Sequence, residues 1–396
     1  MVPSFPLTFP SQPPAVPGSL RPFSGAIKST SAITGDPATA GALGGEVSED
    51  TPLLMVYTSG TTGTPKGAVL SQQAIEFNAL NAVHMHDMCS RDTILTVLPT
   101  FHVGGLNIQT TPALYSGAEV ILEAQFDPGR WLQLVATRKP TLSVLVPATM
   151  HAVMQHPDWS TTSLDSLRSI STGSTDVPPD LIEAFHTRNI PVIQIYGATE
   201  TGPVAIYQRV NEAKTHVGSI GYPGLHTNVK LVDRDGSEIL DQQPGEIWVQ
   251  GKHVATGYWD VSVGKADAFD QGWFPSGDVA RRDEDGRYWF VDRIKRIIIS
   301  GGENIYPIEL ERILDASDLI EEASVVGKSH ERWGAVPIVV AVARNPGVAE
   351  ADVLALFDQH VARFKRPHGV LFVDALPRNA LGKIEYGELS DWVAGA

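Results

Sequence analysis

The sequence predicts an α/β protein with a large N-terminal domain and a smaller C-terminal one. Three observations predict it: short apolar runs alternate with helix-length segments, turn signals become frequent near residue 216, and a compact mixed pattern follows residue 295. Such alternation is typical of βαβ layers and a mostly parallel sheet. Short strands separated by frequent turns favour a small antiparallel, β-barrel-like part.

Each region supplies its own elements. The first part has strand-length apolar runs at 53–57, 93–98, 118–122, 142–146 and 192–196, with helix-length segments at 73–87, 130–138 and 178–188. The turn-rich part has apolar runs at 229–232 and 246–250. The last part predicts helices near 307–315 and 350–363 and strands near 323–327, 337–343 and 369–373, which is an α+β pattern.

Composition limits the class of protein. A chain of 396 residues is long enough for two or three domains and a sizeable core, and 42% hydrophobic residues are typical of a globular protein. A formal net charge of −15 argues against nucleic acid and anionic membrane surfaces as partners. The single cysteine, Cys89, excludes an internal disulfide and fits a reducing compartment. We expect no transmembrane segment and a cytoplasmic location, because no apolar run is long enough to span a bilayer and no signal peptide is evident.

Residues 1–50 differ from the rest of the chain. Prolines dominate their first half, Gly, Ala and Thr follow, and no helix or strand period is present. The segment is therefore predicted to be disordered or a remnant N-terminal segment.

A stretch rich in glycine and hydroxyl side chains stands at residues 57–67, which read Tyr-Thr-Ser-Gly-Thr-Thr-Gly-Thr-Pro-Lys-Gly. Glycines let the backbone turn its N–H groups inward, and the hydroxyls and Lys66 add further donors. This chemistry suits a polyphosphate. The alternative is a flexible linker, but apolar runs frame the stretch on both sides, which linkers normally lack.

This stretch resembles the phosphate-binding loop of the adenylate-forming superfamily, which includes acyl-CoA synthetases, luciferases and peptide-synthetase adenylation domains. Further segments occur in the family's order, at 99–102, 196–200, 276–278, 292–295, 300–305 and 377–383. The resemblance covers roughly residues 51–390 and favours the acyl-CoA synthetase branch.

The resemblance implies a reaction and a domain plan. A carboxylic acid reacts with ATP to give an acyl-adenylate and pyrophosphate, and the acyl group passes to CoA with release of AMP; Mg²⁺ is the implied metal. Residues 51–292 would form the AMP-binding large domain and 296–396 a mobile C-terminal lid, with a hinge at 293–295 that contains Lys295. Relatives carry a further run of residues before the phosphate loop. Either this lineage lacks that run or the sequence begins downstream of it, and a missing run would uncover an apolar face and allow a homo-oligomer.

The resemblance also assigns roles in binding the nucleotide. The phosphate contacts would come from Thr58, Ser59, Gly60, Thr61, Thr62, Gly63 and Lys66. The adenine side would involve Gly173, Ser174, Tyr196 and Gly197, with 171–176 as the adenine-binding loop. Asp278 would accept hydrogen bonds from the ribose hydroxyls and Arg293 would add a second contact. The alternatives are a turn aspartate and a surface ion pair.

The catalytic roles follow from the same resemblance. Glu200 would hold Mg²⁺ and Thr199 a phosphate oxygen, although a helix-cap threonine followed by a first-turn glutamate is the plain alternative. Lys383 would neutralise charge between the α-phosphate and the carboxylate. His102 would lie beside the carboxylate and gate the acyl pocket. Gly301 and Gly302 would line the CoA tunnel.

The identity of the acid and the acceptor stays open at this stage. Peptide-synthetase domains usually place Phe-Asp where this chain has Phe101-His102, which favours a plain carboxylic acid over an amino acid. Transfer to a carrier protein or an amine, and a non-catalytic nucleotide-binding relative, remain alternatives. The candidate pocket residues are small or apolar and allow fatty, aryl or alicyclic acids; they are Gly104, Gly105, Met150, His151, Met154, Gly197 and Val204.

Overall fold

The structure is a computed structural model that describes residues 48–58, 66–173, 177–259, 269–378 and 384–395. Some of the predicted site residues lie outside these ranges, namely Ser59, Gly60, Thr61, Thr62, Gly63, Ser174 and Lys383. The helices are α1 Gln72–His86, α2 Val103–Asn107, α3 Thr110–Ser116, α4 Pro128–Arg138, α5 Pro147–Gln155, α6 Pro179–Thr187, α7 Pro307–Asp315, α8 Glu350–Ala355 and α9 Tyr386–Gly395.

The strands form four sheets. In chain order they are β1 Pro52–Thr58, β2 Lys66–Ser71, β3 Thr93–Thr96, β4 Glu119–Leu122, β5 Leu142–Val144, β6 Ser169–Gly173, β7 Val192–Tyr196, β8 Ile206–Tyr207, β9 Tyr222–Pro223, β10 Asn228–Val232, β11 Gly245–Gln250, β12 Gly257–Trp259, β13 Phe274–Arg282, β14 Tyr288–Arg293, β15 Ile298–Ser300, β16 Glu303–Ile305, β17 Ile320–His330, β18 Gly334–Ala343 and β19 Val370–Phe372.

The largest sheet has seven strands in the order β4-β3-β5-β6-β7-β8-β9. The first five strands of this order pair parallel with one another, whereas the β7–β8 and β8–β9 pairs are antiparallel. The prediction of a mostly parallel sheet is therefore confirmed. Helices α4, α5 and α6 pack on one face around Trp131, Met150 and Phe185. Helices α1 and α3 contribute Met85 and Ala113 to two further apolar clusters, which contain other side chains of the same strands. Successive side chains of a strand point to opposite faces of the sheet, so these helices cover the other face.

Two details of this region were predicted wrongly. The strand that precedes the predicted phosphate loop does not join the parallel sheet, because β1 pairs antiparallel with β2, and β2 with β12. Only the seven residues 59–65 connect β1 to β2, which suits an antiparallel pair and is too short for a parallel crossover. Strand β6 was missed because serine and threonine fill most of it, so it has no apolar run. Ser171 and Gly173, which were predicted to lie in the adenine-binding loop, belong to this strand.

The turn-rich region forms a four-stranded antiparallel sheet in the order β10-β11-β13-β14. The C-terminal region forms a five-stranded sheet, in which β19 adds parallel to β18, with its own apolar cores around Leu310 and Leu389. The helix predicted near 350–363 ends at Ala355, because turns follow and Gln359 adopts the left-handed conformation at φ 66°. Within the described ranges, no helix combines the length and apolarity needed to cross a bilayer.

Candidate active site

The candidate site lies where strand β7 ends. Tyr196 is its last residue, and Thr199 and Glu200 follow in a short 3-10 turn. Both side chains of this turn are buried, at 7% and 9% exposure. Ligands of open α/β sheets bind beyond the carboxyl ends of the parallel strands, so this turn stands where a ligand is expected.

Glu200 is held by hydroxyl groups from two distant segments. Its Oε1 accepts hydrogen bonds from the Tyr258 hydroxyl at 2.7 Å and from Thr58 Oγ1 at 3.4 Å. Lys66 Nζ lies 5.3 Å from the centroid of the Tyr258 ring. The ladders β1–β2 and β2–β12 cause this convergence, because they place Thr58 opposite Lys66 and Tyr258 opposite Ala68.

Tyr258 is a site residue that the sequence analysis missed. Burial and the neighbouring Glu200 carboxylate raise the pKa of its phenol, so it stays protonated and donates to Glu200. The Gly-Tyr-Trp run at 257–259 offered a weak signal, namely a short aromatic strand after a turn. Nothing in the run indicated that it would pair with the strand that follows the phosphate loop.

The single carboxylate of Glu200 is compatible with Mg²⁺. No cluster of three or more His, Cys, Asp or Glu side chains suited to a metal occurs in the part of the chain that the structure describes. Mg²⁺ is commonly bound by one or two carboxylates together with substrate phosphates and water. Glu200 accepts a hydrogen bond from Thr58, and Lys66 lies over the ring of Tyr258, which also donates to Glu200; this arrangement is compatible with that mode of binding.

A second buried carboxylate, Asp278, lies on β13. Its Oδ2 accepts a hydrogen bond from the Tyr196 hydroxyl at 3.0 Å, and its Oδ1 lies 3.1 Å from Arg293 Nε. The β13–β14 ladder sets Asp278 opposite Arg293, and the preceding Gly277 donates its N–H to Glu246 Oε1 at 2.9 Å. The structure therefore brings together Tyr196, Asp278 and Arg293, which the sequence predicted as neighbours of one ligand.

Burial dominates the electrostatics of this second carboxylate. Asp278 is 8% exposed, and burial raises the pKa of its carboxyl although Arg293 and the Tyr196 hydroxyl favour the charged form. The pKa of the Tyr196 phenol is also raised, by burial first and by the Asp278 charge second. Tyr196 therefore donates its hydrogen to Asp278 at neutral pH.

Two glycines of the predicted adenine side are required by close backbone approach. A Cβ on Gly173 would lie 2.3 Å from the Ile195 carbonyl oxygen, and a Cβ on Gly197 would lie 1.8 Å from that of Pro203. Neither distance is compatible with a side chain, so packing of the strand ends alone explains why both residues are glycine.

His102 caps α2, and its Nδ1 accepts the N–H of Gly104 at 3.1 Å. Gly105 lies against the backbone of the preceding loop, since a Cβ on Gly105 would lie 2.3 Å from the Pro99 carbonyl oxygen. Of the other predicted pocket residues, Val204 packs in the core beside α1. Met150 and Met154 instead pack in the core on the opposite face of the sheet.

The predicted hinge and CoA residues lie in two turns. Lys295 belongs to a 3-10 turn, Ile294–Arg296, between β14 and β15, and its side chain is exposed. Gly301 and Gly302 connect β15 to β16 with φ of 61° and 90°, values that a two-residue hairpin turn requires and glycine adopts without strain. Trp333 covers Gly301, because a Cβ there would lie 3.0 Å from its ring.

Comparison with known proteins identifies the family. The family model of the AMP-binding enzymes matches residues 22–259, and that of their C-terminal domain matches residues 309–383. The chain belongs to the AMP-binding enzyme family. The first match begins inside the segment 1–50 that the sequence analysis set apart.

Several relatives are similar over most of the chain. Indoleacetate–CoA ligase of Aromatoleum aromaticum is 45% identical over 350 residues, which are 88% of this chain and 69% of the relative. Feruloyl-CoA synthase of Amycolatopsis sp is 39% identical over 86% of this chain and 70% of its own length. The solved structure of o-succinylbenzoate CoA synthetase from Bacillus subtilis, in complex with its acyl-adenylate intermediate, has a TM-score of 0.80 at 30% identity and covers 87% of this chain and 70% of that one.

The reaction class follows from this membership. The protein is an AMP-forming acid–CoA ligase: it activates a carboxylic acid with ATP, releases pyrophosphate, and transfers the acyl group to CoA. The B. subtilis synthetase has also been solved with ATP and a magnesium ion, at a TM-score of 0.79.

Proposed function

We propose that this AMP-binding enzyme activates an aromatic carboxylic acid at the site formed by Glu200, Asp278 and Arg293. The observation that carries the proposal is the convergence of buried polar side chains from segments far apart in sequence. Thr58 and Tyr258 meet at Glu200, and Tyr196 and Arg293 meet at Asp278. Buried carboxylates that each have hydroxyl or cationic partners from distant segments are typical of functional sites rather than of ordinary surface contacts.

In the proposed mechanism the acid carboxylate attacks the α-phosphorus of ATP. A bond forms between a carboxylate oxygen and the α-phosphorus, and the bond between the α-phosphorus and the bridging oxygen to the β-phosphorus breaks, so pyrophosphate leaves. The chain must hold an anion against a polyanion, which requires cations and hydrogen-bond donors arranged in advance. Lys66 and the phosphate loop supply them at the leaving group, and Lys383 supplies one at the reacting atoms.

The remaining groups hold the nucleotide and the metal. Asp278 accepts the ribose hydroxyls, and Arg293 keeps its carboxylate in place through their ion pair. Mg²⁺ held by Glu200 would neutralise charge on the phosphates. Tyr258 orients Glu200 by donating to one of its two oxygens, which leaves the other oxygen for the metal.

The second half of the reaction uses the C-terminal region. We propose that residues 296–396 turn about the segment 293–295 after the adenylate forms, so that Lys383 leaves and the CoA channel at Gly301 and Gly302 is completed. Three consecutive exposed residues, Arg293 to Lys295, join β14 to the next sheet, which suits a change in backbone angles. The separate apolar cores of the C-terminal region allow it to move as one body.

The aromatic acid is supported by the relatives. The two curated relatives described above act on indoleacetate and ferulate according to their names, and both acids carry an aromatic ring at the far end from the carboxylate.

A panel of acids tests the proposal. AMP release is measured with ATP, Mg²⁺ and CoA, using indole-3-acetate, 4-hydroxycinnamate, dodecanoate and acetate at equal concentration, and acyl-CoA is quantified in parallel. We expect the highest kcat/KM with one of the two aromatic acids and one acyl-CoA formed per AMP. A higher kcat/KM with dodecanoate or acetate would overturn the aromatic assignment.

A further inference from the structure

A buried carboxylate, Asp292, lies at the boundary between the large domain and the C-terminal region. It is the penultimate residue of β14, just before the segment 293–295, and its side chain is 0% exposed. Its Oδ2 accepts the backbone N–H of Ile308 at 2.9 Å, near the start of α7, and its Oδ1 lies 3.5 Å from Arg296 Nη1. Both partners follow the segment 293–295, so these contacts cross it. The mechanism so far gives Asp292 no role.

The Arg296 side chain is fixed by groups that belong to the C-terminal region. Its Nη2 lies 2.5 Å from Glu311 Oε1 on α7, and its guanidinium carbon lies 4.4 Å from the centroid of the Tyr386 ring on α9. A turn of the C-terminal region as one body would keep these contacts. It would break those that Arg296 and Ile308 make with Asp292.

Breaking the contacts of Asp292 has a cost. Burial raises the pKa of its carboxyl, although Arg296 and the backbone N–H groups of Ile308 and Arg293 favour the charged form. Of these three partners, only the Arg293 N–H belongs to the same strand as Asp292. A turn about 293–295 takes the other two away from a buried charge, which is unfavourable. These contacts therefore favour the orientation described here over a turned one.

A second contact crosses the same boundary at the surface. Arg234, in the turn that follows β10, donates from Nη2 to Asn304 Oδ1 on β16 at 2.6 Å. The Arg234 side chain is exposed, so this hydrogen bond contributes less than the buried ones of Asp292. Two separate parts of the large domain thus contact the C-terminal region, one at α7 and one at β16.

The described arrangement is close to that of a nucleotide-bound relative. The chain is similar to ATP-bound MatB from Rhodopseudomonas palustris with a TM-score of 0.81 and to apo MatB from the same source with 0.71, at 30% identity and over 87% of this chain in both cases. The two MatB structures are of one protein, so they differ in how its parts are arranged. The arrangement described here is nearer to the ATP-bound one.

We propose that Asp292 is a positioning residue that holds the C-terminal region in the orientation for adenylate formation, with Arg234 as a weaker second contact. The contacts of Asp292 with Ile308 and Arg296 must break before the acyl group can pass to CoA. Asp292 therefore promotes the first half of the reaction and slows the second. This inference rests on the proposed turn about 293–295 and deepens it by naming the group that the turn must release.

Single-turnover rates of the two half-reactions test the inference. Asp292→Asn keeps the shape of the side chain but turns one acceptor into a donor, which opposes Arg296 or the backbone N–H groups. Adenylate formation from ATP and the acid should slow, and thioester formation from preformed acyl-adenylate and CoA should not. We expect the ratio of the first rate to the second to fall at least about tenfold. A merely structural role would lower both rates alike, and an unchanged ratio overturns the inference.

Asp352→Asn is the matched control. Asp352 Oδ2 accepts the N–H of Ala349 at 3.1 Å at the start of α8, and both residues lie within the C-terminal region. The ratio should stay at the wild-type value, and an equal fall in this variant would overturn the inference. If Asp292→Asn does not fold, the exposed Arg234→Ala decides instead. It should lower the ratio about twofold, and an unchanged ratio there overturns the inference.

A covalent link separates this inference from the proposed turn. Arg234→Cys and Asn304→Cys are combined with Cys89→Ser, which removes the single native cysteine, and the pair is joined by a bismaleimide. The linked enzyme should form adenylate and fail to form acyl-CoA. Acyl-CoA formation at the unlinked rate would overturn the proposed turn and this inference together. A link that blocks acyl-CoA formation, together with a wild-type ratio in Asp292→Asn, overturns this inference alone.

Discussion

The candidate nucleotide site and the buried polar cluster between α1, α3 and β6 are built in different ways. At the nucleotide site, the side chains occur in short segments with recognisable sequences, such as Tyr196 to Glu200 and Ser276 to Asp278. In the buried cluster, single residues from two helical regions and a strand meet, namely His86, Gln109 and Ser171. Only the first arrangement is expected to leave contiguous motifs. The following predictions are arranged by the size of the expected effect, and each can break or sharpen this contrast.

The largest effect is expected at Lys383. Lys383→Ala removes the positive charge at the reacting atoms and should lower the rate of adenylate formation by about 10²–10⁴. The factor should be similar for every acid that is turned over, because the charge acts on the carboxylate and the α-phosphate. Single-turnover AMP formation measures it, and Lys214→Ala, at an exposed lysine, is the control. An equal loss in thioester formation from preformed acyl-adenylate would contradict the role.

Next in size is the metal site of the nucleotide end. Glu200→Gln removes the buried carboxylate and should raise the Mg²⁺ concentration for half-maximal adenylation by about tenfold or more, because an amide is a weaker ligand for a hard cation. Tyr258→Phe should shift the same midpoint in the same direction by less, since it removes only the hydrogen bond that orients Glu200. Phe269→Tyr, which adds a hydroxyl elsewhere, is the control. An unchanged Mg²⁺ midpoint in Glu200→Gln would remove Glu200 from metal binding.

Asp278 should show opposite effects on binding and on stability. Burial raises the pKa of the Asp278 carboxyl in the folded state. The stability that the protonated carboxyl contributes is therefore lost as pH rises through that pKa. The ionised carboxylate then destabilises the folded state at neutral pH. Asp278→Asn should therefore raise Tm without nucleotide, on the order of 1–2 °C, while KM for ATP rises about tenfold through loss of a charged acceptor.

Thermal unfolding and initial rates at pH 7.5 measure both effects. Asp285→Asn is the matched control, because its side chain is 72% exposed. An unchanged KM for ATP would show that the ribose is bound elsewhere. A lowered Tm would show that the Arg293 and Tyr196 contacts outweigh the cost of burial.

The smallest effect concerns a property that both regions share. His86 in the buried cluster and His253 behind the Glu200 turn are buried, and burial lowers the pKa of each imidazole to about 4. Stability from a neutral buried histidine is present above the unfolded pKa of 6.5 and is lost as pH falls toward 4. Tm should thus fall between pH 7 and pH 5, and His253→Gln should reduce that fall. His151→Gln, at an exposed histidine, should leave the fall unchanged. A variant with the full wild-type fall would contradict a neutral buried His253.

Sequence could predict the parts of the molecule that depend on local pattern. The parallel sheet was predicted because apolar strands alternate with helices, and Asp278 and Arg293 were predicted together because each lies in a recognisable segment. Strand β6 escaped because Ser169, Ser171 and Thr172 leave it without an apolar run, and only the fold shows that they are buried. Tyr258 escaped for a related reason. Its partner, Glu200, lies 58 residues away, and only the fold brings the two into contact.

The close backbone packing at Gly173 and Gly197 limits how this scaffold could be redesigned. At neither position can even a methyl group be added without displacing the carbonyl oxygen of Ile195 or Pro203. Gly104 is different, because a Cβ there would approach only the ring of His102, at 3.3 Å. Laboratory evolution toward smaller or larger acids should therefore accumulate substitutions on the helical segment after His102 and leave both strand-end glycines untouched.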